Sequence, residues 1–68
     1  MTEWQKVYED TTSYRAEIVK ALLDDHDMHP VLINKKDSSY QLGHFEVHVK
    51  PDHVLRAIKV IKEEIRFE

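Results

Sequence analysis

These 68 residues predict an α+β fold in which two helices cover one face of a small mixed sheet. Three features carry that expectation. Phe45, Val47 and Val49 alternate strictly with Glu46, His48 and Lys50, the period of two that marks a strand with one buried face. The stretches from Tyr14 to Leu23 and from Val54 to Ile65 space their apolar residues at three and four instead, as amphipathic helices do. Two further strand-forming stretches flank the first helical stretch and set the order strand, helix, strand, strand, helix.

The first strand is read from Glu3 to Glu9, where Trp4, Val7 and Tyr8 favour an extended, pleated backbone. Its two faces are Trp4, Lys6, Tyr8 and Gln5, Val7, Glu9. Val7 is expected to point inward, because the opposite choice buries Lys6 between two aromatic rings. Asp10, Thr11, Thr12 and Ser13 then offer good helix caps, with Thr12 the cap, or Ser13 with Glu17 in the first turn. Tyr14, Ile18, Ala21, Leu22 and Asp25 follow a helical spacing, and Ala16, Val19 and Leu23 widen the apolar stripe. Pro30 limits this helix, with Met28 and His29 leading out. Val31, Leu32 and Ile33 form a short aliphatic run, β-branched at Val31 and Ile33, between Pro30 and Asn34. Lys35 to Gly43 is polar and is read as a loop too long for a tight hairpin. The alternating segment follows. Pro51 and Asp52 then suit the first turn of a second helix. Its apolar face is Val54, Ile58, Ile61 and Ile65, with Leu55, Ala57 and Val60 beside it. Arg66 to Glu68 is either a frayed end or a short fourth strand.

A right-handed strand–helix–strand crossover makes the first two strands parallel, and the third inserts between them antiparallel. That is a ferredoxin-like split βαββα(β) arrangement, and the whole of residues 1–68 is read as a single such domain. With both helices on one side, nothing covers the other side of the sheet. That face meets either water or a partner.

Composition excludes several functions. There is no cysteine, so no disulfide, thiolate metal site or cysteine nucleophile is available. Ten basic against thirteen acidic residues give a charge of -3, which argues against a nucleic-acid partner, since phosphate neutralisation drives that binding. No apolar run approaches the roughly 20 residues of a membrane span, and the polar N-terminus does not read as a signal peptide, so a cytoplasmic location is expected. A single glycine rules out a phosphate-cradling loop. Ser, His and Asp occur without a nucleophile-elbow context, and paired carboxylates fall on helix ends where burial cannot tune them. No enzyme activity and no cofactor are expected.

Four groups of side chains remain as candidates. On the open face, Trp4, Lys6 and Tyr8 would lie beside Glu46, His48 and Lys50, and exposed aromatics among polar groups are typical anchors of protein interfaces. In the polar connection, Lys35, Lys36, Ser38 and Ser39 could hold a small anion, with Tyr40 stacking on it; the plainer reading has Asp37 capping a turn and the lysines solvated. His44, Glu46 and His48 leave one face of one strand and suit a metal chemically. Yet the two histidines stand about 13 Å apart along the backbone, so all three are not expected on one ion, and no metal site is assigned. Last, Asp24 to His29 puts carboxylates at a helix C-terminus against the macrodipole, a solvated acidic end that protonated His26 would relieve.

The strings WQKVY, YRAEIVKALLDDHDM, NKKDSSY and FEVHVKPDHVLRAIKVI occur in this order over nearly the whole chain. In them the sequence resembles a bacterial family of unknown function described as putative prokaryotic signal-transducing proteins. The most specific pieces are Ala16-Glu17 within the helix and the string from Asn34 to Tyr40. Many relatives carry a glycine pair before the third strand, where this chain has Gly43 followed by His44. The resemblance implies a small ferredoxin-like domain, loosely comparable to nitrogen-regulatory PII proteins, and brings no catalytic motif. Residues and resemblance together lead to the expectation of a signalling or interaction module. It would act by self-association or by binding a protein through the open face; the alternative is a small anionic ligand or nucleotide at the Lys35–Tyr40 loop.

Overall fold

The structure, a computed structural model, describes residues 3–37 and 42–66. The elements are β1 (Gln5–Asp10), α1 (Ser13–Asp25), β2 (Val31–Asp37), β3 (Leu42–Val49), a 3-10 turn (Pro51–His53) and α2 (Val54–Glu64). The sheet order is β1-β3-β2, and β3 pairs antiparallel with both neighbours, so β1 and β2 run parallel with β3 between them. This is the ferredoxin-like split arrangement that the sequence predicts.

The core forms where the alternating strand meets both helices. Val47 and Val49 of β3 are wholly buried against Ala16, Val19 and Leu23 of α1, Ala57 and Val60 of α2, and Met28. Ala16 and Ala57 have no exposed area at all, and their small side chains let each helix sit close over the strands. Phe45, in phase with the two valines, is half-buried against the same cluster.

Both ends of α1 are closed by local chemistry. Thr12 occupies the cap position but makes no side-chain cap bond. Asp10 does the work instead: its Oδ1 accepts the Thr12 backbone N–H at 2.9 Å, and its Oδ2 accepts the Tyr8 hydroxyl at 2.6 Å. At the other end, Asp27 adopts a left-handed conformation with φ of 64°. The Asp27 N–H reaches the Asp24 carbonyl, and the Met28 N–H reaches that of Leu23. Those two bonds define a Schellman stop, sealed by the buried contact partners Leu23 and Met28. Arg56 of α2 donates to the His26 carbonyl at 3.2 Å, bringing a cation to the negative end of α1.

Three expectations are corrected. The connection between β2 and β3 is short: pairing continues out to Asp37 opposite Leu42, so only residues 38–41 separate the strands. Polar composition misled there because ladder pairing uses backbone groups and tolerates polar side chains. Second, α2 is rotated from the expected phase. Ala57 and Val60 face inward with Val54, Ile61 and Ile65, while Leu55 is 83% and Ile58 45% exposed. α2 packs over the edge strand β1 with α1 to one side, so only a narrow stripe of it is covered. Third, β1 does not alternate strictly. Lys6 pairs with His48 and Tyr8 with Val47, neighbours on β3, so Val7 is an extra residue, a β-bulge. Val7 and Tyr8 both pack against the core, and Tyr8 is therefore not on the open face with Trp4 and Lys6. Burial and the hydrogen bond to Asp10 push the Tyr8 phenol up to about 12. No fourth strand lies among the described residues; Ile65 ends α2 in an extended conformation, and residues 67 and 68 are outside them.

Candidate site on the open sheet face

The register fixes which side chains share the face away from the helices. From β3 they are His44, Glu46 and His48, alternate to the core residues Phe45, Val47 and Val49. Opposite them on β2 stand Lys35, Ile33 and Val31. Opposite on β1 stand Glu9, across from Glu46, and Lys6, across from His48. The bulge brings Glu9 here; without Val7 as an extra residue, Glu9 would share the inward phase of Gln5. Trp4, 42% exposed and in phase with Lys6, marks the corner of the face, with the Lys50 ammonium 6.0 Å from its ring centroid.

Glu46 is the centre. No helix covers it, yet its residue exposure is only 8%, because neighbouring side chains close over it. Its two oxygens are used separately. His48 Nε2 lies 2.9 Å from Oε1, and His44 Nε2 lies 2.8 Å from Oε2. A carboxylate can only accept, so both rings carry their proton on Nε2. The buried His48 Nδ1 has no hydrogen-bond partner. The His48 and His44 hydrogen bonds hold the Glu46 carboxyl down to about 2, against the opposing effect of burial and with help from the Lys35 and Lys6 charges.

Glu9 and Glu46 are directly opposed like charges, an unfavourable cross-strand pair by itself. Lys6 relieves it, with its ammonium 2.6 Å from Glu9 Oε1 and 3.9 Å from Glu46 Oε2. That contact lowers the Glu9 carboxyl and raises the Lys6 ammonium from their ordinary values, the hydrogen bond between them being the main cause. Glu9, His44 and Glu46 each present one ligand-type atom within 4.8 Å of the others. His48 is not part of this set; it bonds the other Glu46 oxygen. The group that could grip a cation thus spans two strands, where the sequence offered only the single-strand row His44, Glu46 and His48, too extended to share one ion.

The structure brings together Trp4, Lys6, Lys35, His44, Glu46, His48 and Lys50 of the residues singled out from the sequence, and places Tyr8 on the other face. Lys36 and Asp37 belong to β2. Ser38, Ser39 and Tyr40 lie outside the described residues, as does any anion site they would build with the lysines. At the acidic end of α1, His26 Nε2 lies 3.3 Å from Glu64 of α2, and the exposed His29 Nε2 lies 3.3 Å from Asp27. Sequence reasoning missed Glu9, Val31 and Ile33. Three apolar residues in a row give no phase, and a one-residue bulge leaves no mark in composition.

No helix among the described residues is long and apolar enough to cross a membrane. A family model described as "putative prokaryotic signal transducing protein" matches residues 4–65. No curated protein and no solved structure matches.

Proposed function

The chain belongs to the putative prokaryotic signal transducing protein family, and from that premise we propose that it is a non-enzymatic interaction module of the bacterial cytoplasm. It docks through its open sheet face, onto a second copy of itself or another protein. One observation carries this reading: the sheet has helices on one side only, and its bare side is an organised surface. Trp4 and Val31, 42% and 39% exposed, lie around a buried carboxylate whose oxygens are already held by imidazoles. Apolar anchors around a fixed polar centre suit protein docking, because the polar groups enter the interface with hydrogen bonds in place. Glu46 itself is held far below neutrality, which suits a fixed structural carboxylate better than a general acid or base.

Light scattering over a concentration series tests the self-association form. The expected result is a mass that rises with concentration for the wild type and stays monomeric for Trp4→Ala. A monomer throughout, unchanged by the substitution, removes self-association from the proposal.

A further inference from the structure

The geometry points to a divalent metal site of the zinc class at Glu9, His44 and Glu46, and we propose that this chain binds one Zn²⁺ there in exchange for the Lys6 ammonium. The proposal is independent of the docking reading.

Three observations support it. The first is spacing. The three ligand atoms lie within 4.8 Å of one another, and His44 Nε2 and Glu46 Oε2 are already 2.8 Å apart. Ligands at zinc distances stand about 3.4 Å apart around a tetrahedral ion, so a change of rotamer in the exposed Glu9 closes the set. One imidazole with two carboxylates favours zinc over the oxygen-only preference of calcium or magnesium.

The second is the supporting bond. His48 fixes Glu46 through Oε1 at 2.9 Å and leaves Oε2 directed at His44 and Lys6. A ligating carboxylate held through its other oxygen is the usual second layer of a metal site. The third is the bulge at Val7, which turns Glu9 from the helix side to the open face opposite Glu46. Bulges recur beside functional sites because they re-aim side chains in this way.

The pair of carboxylates already needs a cation between them, and Lys6 supplies it. Its side chain is 46% exposed, so it leaves without disturbing the core. On binding, the His44 ring exchanges its Nε2 proton through solvent for one on Nδ1, so that a neutral imidazole ligates through Nε2; the ammonium moves to water, and a dication with two carboxylates leaves the centre neutral. A coordination position remains on the solvent side.

The test is calorimetric titration of the full chain with Zn²⁺ alone, repeated with Co²⁺, whose visible absorption reports ligand number. One equivalent is expected to bind, with the intense spectrum of a four-coordinate ion. Glu9→Gln and His44→Gln are each expected to weaken it at least about tenfold, with the far-ultraviolet circular dichroism unchanged. Lys6→Met is expected to tighten it several-fold, because the competing ammonium is gone. Adventitious binding at surface histidines such as His29 or His53 would persist in Glu9→Gln. That result, no saturable binding below millimolar zinc, or unchanged or weaker binding in Lys6→Met would overturn the site.

Discussion

At the residue scale, Glu46 concentrates most of what is specific about this surface. A glutamate at the middle of a central strand would ordinarily project into water; here it is nearly as buried as the valines on the other face. Its carboxyl is depressed, so the sign of its contribution is fixed. The stabilisation is fully present above about pH 4.5, the ordinary glutamate value, and is lost as pH falls through the folded value of about 2. Carbon-13 titration of the side-chain carboxyl is expected to give a midpoint near 2, and urea midpoints should fall between pH 4.5 and 2. In Glu46→Gln that part of the pH dependence should disappear. A Glu46 midpoint near 4.5 would mean that the imidazole bonds do not form in solution. The sequence made the row His44, Glu46, His48 visible by its period of two. It could not show that one carboxylate bonds both rings, because that depends on rotamers and on the cover given by β1 and β2.

At the element scale, the strongest sequence signals fared best. β3 and the sheet order follow from strict alternation and from element order. The phase of α2 and the path of β1 do not, since the first depends on which flank has a neighbour and the second on one inserted residue. Two substitutions check the α2 phase. Leu55→Gln should change stability by no more than about 0.5 kcal/mol, whereas Val60→Ala, which removes two buried carbons, should cost about 1.5 kcal/mol or more. Equal costs in urea unfolding would return α2 to the phase that its sequence suggests. The end of α1 gives the opposite sign. Asp27 holds a left-handed backbone that suits glycine and adds a negative charge at the helix C-terminus. Asp27→Gly is therefore expected to raise stability, by about 0.5–1 kcal/mol. A loss of stability would show that the His29 contact at 3.3 Å outweighs both terms.

At the scale of the whole molecule, a chain of 68 residues has one small core and a stability on the order of 3–10 kcal/mol. Two thin layers, a sheet and a pair of helices, fit the shortest extent of 15 Å. A sheet clothed on one side only exposes a broad face, and this chain equips that face with ordered polar groups rather than a plain solvated strand surface. The family assignment agrees with a signalling role and names no partner. What the sequence left unreadable at this scale was the composition of the face, because Glu9 reaches it through the bulge and Val31 and Ile33 through a register set only by pairing with β3. The most direct measurement is photocrosslinking in cells, with a photoreactive phenylalanine at Val31 or Trp4 and, as a control, at Glu17 on the exposed side of α1. Docking through the open face requires a discrete adduct, a dimer or one heavier species, from Val31 and Trp4 and none from Glu17. The same adducts from all three positions, or none from the two on the sheet, would contradict it.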